Sequence, residues 1–482
     1  MTSSAVALEV AVEAASLDLL GLHERFPQRF PVLLETAALA MGDAPQYDWL
    51  LFTAADGDTA SQVAASATSE GFTLRVSAAD AAAGRLVGEK FLARLDAACA
   101  AVRALHGQVD KGELPFVGGF FLYAAYELAA EVEPVLRLPL REGDVVASLL
   151  PIAGAVVRHH ATGRVQVVAL PRYAALAEEV RAAVEYASET AGESDGPVAS
   201  KAVARAVFED EAHEFLGAVH GGLEAISAGE VYQTNLSRAW RTSLQAGETP
   251  AALYRRLRRA NPGPFAGLAA LPEISVLSTS PERLVRVQGL KIDTRPIAGT
   301  RPRKPGDAEA DAALAAELRA HPKEQAEHVM LVDLERNDLG RLCEAGTVEV
   351  DEFMVLEQYA HVHHIVSNVR GVRRPDTTPG QILRALFPGG TITGCPKVRC
   401  MQLIGDLERV PRGAYTGTMG WIGTDGDMDL NILIRTAEVS PSGAVCVRAG
   451  AGIVADSVPE LELAETRAKA RGLLRGLGVE HP

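Results

Sequence analysis

The sequence predicts an α+β fold with layered helices and strands. Three observations predict it. The composition is globular, with 48% hydrophobic and 23% charged residues among 482. Apolar residues recur with helical spacing in some segments and form short strand-like runs in others. The two kinds of segment follow one another without a regular β-α-β order, which argues against a Rossmann-type sheet. The length predicts two domains or one very large domain.

The N-terminal region, residues 1–195, is rich in alanine and contains both kinds of segment. Helical spacing is found in residues 87–105 and 176–191, and strand-like runs in residues 49–53, 116–122 and 164–169. The segment 193–200, ESDGPVAS, is small, polar and contains Pro and Gly. This composition predicts a linker or an exposed loop before a second region, residues 205–475.

The second region has a higher density of predicted elements. Helices are predicted over residues 209–228, 250–259, 307–318, 323–334 and 458–477, and strands over residues 231–240, 416–422, 431–439 and 444–449. The mixture again fits an α+β layered arrangement.

Charge and cysteine usage restrict the partners and the compartment. The formal net charge of −15 predicts a protein that does not bind nucleic acid. The five cysteines form no CxxC or zinc pattern, which is typical of reduced thiols in the cytosol. The chain shows no signal peptide and no apolar run long enough for a bilayer, so we expect a cytoplasmic protein without a membrane partner. An anionic ligand would need a local cation or a metal to overcome the acidic surface.

Two pairs of carboxylates have a spacing that could hold a hard cation. Glu324 and Glu327 lie three residues apart on one predicted helix, and Glu462 and Glu465 do so on another. Mg²⁺ binds one or two carboxylates, several waters and oxygens of an anionic substrate. From spacing alone, a solvated helix face is the stronger explanation of each pair.

Three glycine segments could approach an anion closely. They are residues 295–301, 387–397 and 449–455. Glycine lets backbone N–H groups hold a carboxylate, although a tight turn explains each segment singly. With Arg435 and Lys469 nearby in sequence, the three together favour an anion with more than one carboxylate. In the run HVHHIVS, alternation places His361 and His363 on one face of a strand and His364 on the other. An acid–base, hydrogen-bonding or structural role is open for each.

Ten ordered motifs identify a family. The run from about residue 231 to 469 resembles the chorismate-binding domain of anthranilate synthase component I and aminodeoxychorismate synthase component I. The motifs are YQTNLSR (232–238), NPGPF (261–265), STSPERL (278–284), RPIAGTRPR (295–303), AEHVMLVDLERNDLGR (326–341), HVHHIVSNVRG (361–371), FPGGTITGCPKVR (387–399), GAYTGTMGWIG (413–423), NILIRT (431–436) and AGAGIVADSVPELELAETRAKAR (449–471). Residues 116–128 and 31–36 match more weakly.

The resemblance implies a fold and a set of ligand-binding residues. It implies two large antiparallel sheets packed face to face with helices outside, to which both halves of the chain contribute. The implied Mg²⁺ ligands are Glu327 and Glu465, with Glu324 and Glu462 as companion carboxylates. The groups implied to hold the two carboxylates of chorismate are Tyr415, Arg435, Gly450, Gly452, Lys469 and Thr391.

The resemblance also implies catalytic roles. Glu282 matches the general acid that protonates the departing C4 hydroxyl, and His364 matches the active-site histidine. Gln233 stands where isochorismate-forming relatives carry a water-activating lysine, so addition of ammonia is favoured over water. In the PIAGT motif, Ala298 replaces the lysine of the PIKGT that familiar aminodeoxychorismate synthases carry, and Thr300 is the threonine that both motifs share. Because Ala298 has no amine, a covalent lysine adduct is excluded there.

Four other motifs favour aminodeoxychorismate synthase component I, of a type that carries PIAGT, over anthranilate synthase component I. YQTNLSR, NPGPF, HVHH and FPGGTITGCPK resemble the former, whereas PIAGT is shared with the latter. A non-catalytic chorismate-binding homologue is a third possibility, which the intact site residues disfavour. The family implies a glutamine amidotransferase subunit as the source of ammonia. A tryptophan pocket, regulatory or structural, is implied at Leu34, Glu35, Thr36, Pro264 and Phe265; an ordinary strand is the alternative for residues 33–36.

Overall fold

The computed structural model describes residues 3–13, 17–37, 47–54, 71–88, 90–190, 204, 206–304, 306–358 and 362–479. The predicted linker at 193–200 and His361 lie outside this part of the chain. The helices in it are α1 (Leu19–Arg25), α2 (Ala78–Ala83), α3 (Phe91–His106), α4 (Ala129–Val132), α5 (Ala174–Thr190), α6 (Ala212–Ser227), α7 (Pro250–Ala260), α8 (Ala308–Ala320), α9 (Pro322–Gly340), α10 (Pro379–Leu386), α11 (Lys397–Glu408) and α12 (Pro459–Gly476).

The strands of the N-terminal region are short and those of the second region are longer. They are β1 (Ser3–Ser4), β2 (Val6–Glu9), β3 (Val32–Glu35), β4 (Tyr47–Phe52), β5 (Phe72–Arg75), β6 (Val109–Asp110), β7 (Gly119–Ala124), β8 (Val145–Ile152), β9 (Gly154–His159) and β10 (Val165–Ala169). From the second region come β11 (Phe208–Glu209), β12 (Gln233–Ser243), β13 (Phe265–Ala270), β14 (Ser275–Ser280), β15 (Arg283–Gln288), β16 (Lys291–Thr294), β17 (Ile297–Pro302), β18 (Glu349–Gln358), β19 (Val362–Val372), β20 (Gly394–Cys395), β21 (Thr418–Gly423), β22 (Met428–Asn431), β23 (Thr436–Val439) and β24 (Ala444–Ile453).

Most strands belong to one of two large sheets. The first has 12 strands in the order β11-β12-β24-β23-β14-β13-β3-β4-β9-β10-β2, with β20 paired to β12. The second has 10 strands in the order β17-β19-β16-β15-β22-β21-β7-β8-β5, with β18 paired to β19. Both sheets contain strands from both halves of the chain, as the resemblance implied. The boundary between residues 195 and 205 therefore does not separate two sheets.

The two sheets pack face to face over an apolar layer. Trp49 of β4, Phe121 of β7 and Met419 of β21 belong to one buried cluster that contains residues of both sheets. Helices cover the outer faces: a second cluster joins the 12-stranded sheet to α1, α5, α7 and α12, and a third joins the 10-stranded sheet to α3, α9, α10 and α11. The predicted α+β architecture of two antiparallel sheets with helices outside is confirmed.

The helices begin with ordinary capping residues, and these include the two helices that carry the carboxylate pairs. Proline occupies the first turn of α9 and of α12, where its missing N–H is not needed. On α10, Thr378 and Gln381 form a capping box. Helix α9 extends six residues beyond the predicted end at 334, because the polar run that follows offers no stop signal before residue 340.

One predicted strand is wrong in an informative way. Residues 431–439 were expected to form one strand, but β22 ends at Asn431 in the 10-stranded sheet and β23 begins at Thr436 in the 12-stranded sheet. The chain passes between the sheets at residues 432–435. A second passage, at residues 281–282, joins β14 to β15. Strand β14 pairs with β23 in the 12-stranded sheet, and β15 pairs with β22 in the 10-stranded sheet. One antiparallel pair thus bends from one sheet into the other.

The two passages are joined to each other by hydrogen bonds. The backbone N–H of Ile432 donates to the carbonyl of Glu282 at 3.0 Å, and the hydroxyl of Ser280 donates to the carbonyl of Ile432 at 2.5 Å. The catalytic candidate Glu282 and the substrate-binding candidate Arg435 therefore lie at neighbouring crossings. In the described part of the chain, no helix combines the length and hydropathy that spanning a bilayer requires.

Candidate active site

Glu282 lies at the first passage and is almost completely buried. Its side chain is 5% exposed and accepts a hydrogen bond from the hydroxyl of Thr391 at 2.8 Å. Burial raises the pKa of Glu282 to about 7, and the charge of Glu335 acts in the same direction. The Thr391 hydroxyl, the backbone N–H of Ile297 and the charge of Arg435 oppose this shift. A carboxyl group of this kind holds its proton near neutral pH.

Arg435 lies at the second passage in a strained backbone conformation. Its φ is +53°, a region that non-glycine residues rarely adopt, and its carbonyl accepts bonds from the N–H and the hydroxyl of Thr279, both at 3.0 Å. Tyr415 and Glu282 are within electrostatic range of the guanidinium. Among the described residues, no carboxylate forms an ion pair with Arg435. An anionic ligand would satisfy this charge.

The glycines of β24 are required by close approach and not by a turn. A Cβ at Gly450 would lie 2.6 Å from the Tyr415 hydroxyl, and a Cβ at Gly452 would lie 2.6 Å from Nε2 of Gln233. Both glycines belong to a central strand of the 12-stranded sheet, so the tight-turn alternative does not apply to them. Their missing side chains leave room beside groups expected to bind the substrate.

Lys469 and Gln233 connect the glycine strand to the carboxylates. The Lys469 ammonium donates to the carbonyl of Gly450 at 3.1 Å and pairs with Glu465 at 2.5 Å, one turn earlier on α12. The amide of Gln233 donates to Glu327 at 2.8 Å. The substrate-binding and metal-binding candidates are thereby joined in one cluster.

Helices α9 and α12 carry the four carboxylates that were predicted to bind a metal. Burial raises the pKa of Glu327, and the charges of Glu324 and Glu465 contribute, while Gln233 and Lys469 oppose. A cation near these carboxylates would relieve their mutual repulsion. Glu462 lies one turn before Glu465 and is buried.

The carboxylates do not form a ready-made cage. Arg301 donates to Glu324 at 3.3 Å, and no three His, Cys, Asp or Glu side chains of the described residues are grouped closely enough to hold a metal ion. Mg²⁺ needs only one or two protein carboxylates beside waters and substrate oxygens. The oxygen donors present therefore fit this ion without a preformed triad.

His364 and the PIAGT strand form the opposite side of the cluster. His364 Nδ1 donates to the carbonyl of Gly299 at 3.1 Å, and burial lowers the pKa of His364 to about 4. The neutral ring then presents Nε2 as an acceptor. Ala298 is buried on β17, and the backbone of Thr300 pairs with His364 across a bulge at Gly299. By contrast, Nε2 of the neighbouring His363 forms a buried hydrogen bond with Asp311 at 3.0 Å, which fits a structural role.

The two segments of the implied tryptophan pocket lie side by side. The N–H of Ala37 donates to the carbonyl of Gly263 at 3.0 Å, and Glu35 pairs with Ala266 in register. Leu34, Thr36, Pro264 and Phe265 therefore lie in adjacent backbone segments. Glu35 accepts bonds from the Tyr254 hydroxyl at 2.7 Å and from Arg258 at 2.9 and 3.0 Å. Binding of tryptophan there stays a prediction.

Sequence reasoning missed several residues behind the site. Glu335 on α9 is buried near Glu282, and Asp338 pairs with Lys397 beside it. Thr279, which holds the carbonyl of Arg435, was also missed. These residues lie within the quoted motifs of residues 278–284, 326–341 and 387–399, but no spacing pattern distinguishes them from an ordinary polar helix face or strand. Only the fold shows that they lie behind the site.

Comparisons with known proteins identify the family. The family model described as chorismate binding enzyme matches residues 53–475. Anthranilate synthase component 1 of Thermus thermophilus is 43% identical over 370 residues, covering 75% of this chain and 78% of the relative. Aminodeoxychorismate synthase component 1 of Bacillus subtilis is 47% identical over 263 residues, covering 55% of each chain. The alignment thus spans about half the length of the Bacillus relative.

A solved structure shares the fold. The crystal structure of anthranilate synthase component I from Streptococcus pneumoniae aligns with a TM-score of 0.70 at 30% identity, covering 80% of this chain and 86% of the other. Relatives of both names are similar at comparable levels. The comparisons therefore establish the enzyme type without choosing between the two products.

Proposed function

The chain belongs to the family of chorismate-binding enzymes, and we propose that it is the synthase component of an aminodeoxychorismate synthase. In this proposal it aminates chorismate with ammonia to 4-amino-4-deoxychorismate, for para-aminobenzoate and folate synthesis. One observation carries the chorismate chemistry that both candidate products share: burial raises the pKa of Glu282 to about 7, and this carboxyl group lies close to Arg435, which has no ion-pair partner in the described chain. The choice of product rests on the motifs YQTNLSR, NPGPF, HVHH and FPGGTITGCPK.

Binding comes first in the proposed mechanism. Chorismate is a dianion with two carboxylates. Arg435 and the Tyr415 hydroxyl are suited to the enolpyruvyl carboxylate, in the space left by Gly450 and Gly452. Lys469, whose position is fixed by the carbonyl of Gly450, is suited to the ring carboxylate. Charge-assisted hydrogen bonds at two ends of the substrate fix its orientation.

Proton transfer follows from the surroundings of Glu282. The C4 hydroxyl is a poor leaving group, so departure requires a proton. Glu282 holds a proton near neutral pH and is oriented by Thr391. Ammonia then adds at C2 as the C4 hydroxyl leaves as water, giving noncovalently bound 2-amino-2-deoxyisochorismate. A second ammonia adds at C4 while the protonated C2 amino group leaves as ammonia. His364, whose lowered pKa keeps the ring neutral and whose Nδ1 donates to the carbonyl of Gly299, is suited to accept a proton from an intermediate.

Three residues bear on the choice of ammonia over water and on the course of the amination. Gln233 donates to Glu327 and has no basic group with which to activate water. Ala298 offers no amine, so amination proceeds without a covalent lysine adduct. Asn235, in YQTNLSR, has a buried amide oxygen without a hydrogen-bond partner, near the position that a Cβ at Gly450 would occupy. Asn235 belongs to the YQTNLSR motif, which favours aminodeoxychorismate synthase.

The alternative product is anthranilate with pyruvate. Two observations favour it: Ala298 in PIAGT, and the prominence of anthranilate synthases among the relatives. His364 fits both reactions, because each requires a proton to be removed from an intermediate. Anthranilate synthase therefore stays the second candidate.

Mg²⁺ is the proposed cofactor. Glu327 and Glu465 would hold it, with Glu324 and Glu462 as companions directly or through water. When bound, the ion would supply Lewis-acid and electrostatic stabilisation at the ring carboxylate. Removal of divalent cations with a chelator should abolish chorismate consumption, and added Mg²⁺ should restore it. Chelator-resistant activity, or a Glu327→Gln variant with unchanged Mg²⁺ dependence, would contradict the assignment.

A glutamine amidotransferase subunit is the proposed source of ammonia. Large apolar side chains are exposed directly beside site residues: Tyr232 next to Gln233, and Leu461 next to Glu462. Val329, two residues after Glu327, is exposed as well. Apolar residues near the site entrance suit a partner that delivers ammonia there. The cytoplasm stays the expected compartment.

Product identity is the decisive experiment. The purified chain is incubated with chorismate, Mg²⁺ and an ammonium salt at alkaline pH, and the products are separated by chromatography with mass detection. An amino-dienoate that keeps its enolpyruvyl group, and yields para-aminobenzoate only with a separate lyase, supports the proposal. An ortho-aminobenzoate released with pyruvate supports anthranilate synthase. No consumption of chorismate would support the non-catalytic alternative.

A further inference from the structure

Glu335 is a buried carboxylate that takes no part in the steps above. It lies on α9 and is 5% exposed. The Thr294 hydroxyl and the backbone N–H of Gly390 face it and lower its pKa, and a Cβ at Gly390 would lie 3.4 Å from its Oε1 atom. Among the described residues it forms no ion pair. Because a buried carboxylate without a cationic partner costs folding free energy, its place beside the site suggests a functional role.

A direct structural path leads from Glu335 to Glu282. Gly390 is followed by Thr391, whose hydroxyl donates to Glu282 at 2.8 Å. Helix α9 packs tightly on this turn, since a Cβ at Gly390 would lie 2.2 Å from the Cδ2 atom of Leu334. One short turn therefore contacts Glu335 on one side and Glu282 on the other.

The charges around the two carboxyl groups favour a shared proton. Burial, followed by the charge of Asp338, raises the pKa of Glu335 to about 7, while Lys397 on α11 opposes. The charge of Glu335 raises the pKa of Glu282, and the charge of Arg435 lowers it. Two neighbouring buried carboxyl groups titrate as a pair, and both ionise together only at high cost.

Resting on the proposed role of Glu282 as the acid, we propose that Glu335, held beside the site by the Gly390–Thr391 turn, is a positioning residue that keeps the proton on Glu282 through its own negative charge. When the substrate is in place, Glu282 gives this proton to the C4 hydroxyl, the C–O bond breaks, and the hydroxyl leaves as water. Glu282 ends as a carboxylate, which is reprotonated before the next turnover.

The test is the pH profile of Glu335→Gln. The amide keeps the shape and an acceptor oxygen for Thr294 but removes the charge. Loss of this charge lowers the pKa of Glu282, so the alkaline limb of kcat should move to lower pH by about one unit. Activity one unit above the limb should fall about tenfold, with little change at lower pH. Glu335→Asp, which keeps the charge, should retain much of the wild-type limb.

Asp333→Asn is the matched control, because Asp333 is an exposed carboxylate on the same helix, paired with Arg336. Its limb should not move. Glu282→Gln is measured in parallel. If Glu282→Gln consumes chorismate normally, the proposed acid is wrong and the role of Glu335 with it. If Glu282→Gln is inactive while the alkaline limb of kcat in Glu335→Gln stays at the wild-type pH, the role of Glu335 is overturned and that of Glu282 is not.

A second measurement does not depend on activity. The carboxylic-acid band of the protein is followed by infrared difference spectroscopy as the pH is raised, in the wild type and in Glu282→Gln. Removal of Glu282 should shift the remaining titration near neutral pH to lower values, because Glu335 loses its like-charged neighbour. An unshifted titration in Glu282→Gln shows that the two groups are independent and overturns the proposal.

Discussion

Glu282 and Glu408 are two buried glutamates that differ in their surroundings. Glu408, at the end of α11, has a side chain that is 2% exposed and accepts bonds from Arg412 at 2.6 Å and from Arg448 at 3.0 Å. Although burial opposes ionisation, the two arginines hold the pKa of Glu408 below its ordinary value. Glu282 has Thr391 as a neutral donor and Glu335 as a like-charged neighbour, and its pKa rises to about 7.

The comparison shows that burial alone does not decide the charge of a carboxyl group. Where cationic donors replace the lost water, as at Glu408, the group stays ionised and joins strands to helices. Where neutral donors replace it, as at Glu282, the group keeps its proton and can act as an acid. The same residue type thus serves structure in one region and chemistry in the other.

The largest effect is expected when the acid itself is removed. Glu282→Gln should lower kcat for chorismate consumption by about 10²–10⁴-fold, the usual contribution of a positioned general acid. Stability should not fall, since the amide fits where a neutral carboxyl group lies. Thermal unfolding recorded beside the kinetics separates the two effects. If Glu282→Gln is inactive because it is unfolded, Glu282 serves the structure as Glu408 does, and the contrast between a catalytic and a structural glutamate is unsupported.

The reverse pattern is expected for Glu408→Gln. It leaves two buried guanidinium groups without their carboxylate, so the free energy of unfolding should fall by about 3–5 kcal/mol. Denaturant titration measures this loss. The exposed pair of Glu178 with Arg181 gives the control, because Glu178→Gln should cost less than about 1 kcal/mol. An equal loss in the free energy of unfolding for the two variants would show that the buried pairing of Glu408 stabilises the fold no more than a surface ion pair does.

The pH dependence of stability sharpens the comparison. The pKa of Glu282 is raised from 4.5 to about 7 in the folded chain, so its ionisation opposes folding as the pH rises between these values. Glu282→Gln should therefore gain stability over the wild type across this window, by up to about 3 kcal/mol. The lowered pKa of Glu408 has the opposite sign: its contribution is present above pH 4.5 and is lost as the pH falls further. Urea titrations at several pH values test both directions.

A smaller effect is expected at the glycine strand. Gly450→Ala places a Cβ 2.6 Å from the Tyr415 hydroxyl and 2.7 Å from the carbonyl of Leu236, so it should cost about 1–3 kcal/mol and raise KM. Gly217→Ala on α6 is the control, because a Cβ there meets nothing within 4 Å. An unchanged KM for Gly450→Ala would show that the space beside Tyr415 is not used by the substrate.

Much of the fold and of the site could be predicted from the sequence. Helices such as α7 and α12 have strong periodic patterns and clear start signals, and ten motifs marked most of the site. The passage at residues 432–435 was missed, because NILIRTAEV is a run of strand-forming residues without Gly or Pro. Only the pairing of its two ends with different sheets reveals the break.

The residues behind the site could not be predicted for a different reason. Glu335 lies in the charged run DLERND, where a solvated helix face is the ordinary expectation. Its burial follows from packing against Gly390, about 55 residues further along the chain, and local spacing carries no signal for such a contact. Glu324 and Glu327, by comparison, were found from spacing because both lie on the same helix.

The two passages between the sheets limit which changes of length the chain can accept. Strand side chains alternate between faces, so one residue added or removed at 281–282 or 432–435 would turn the inward residues of the next strand outward. Surface loops accept insertions at small cost, whereas these two segments cannot. Descendants of this chain can therefore diversify by exchanging side chains around Glu282 and Arg435, while the number of residues in each passage stays constant.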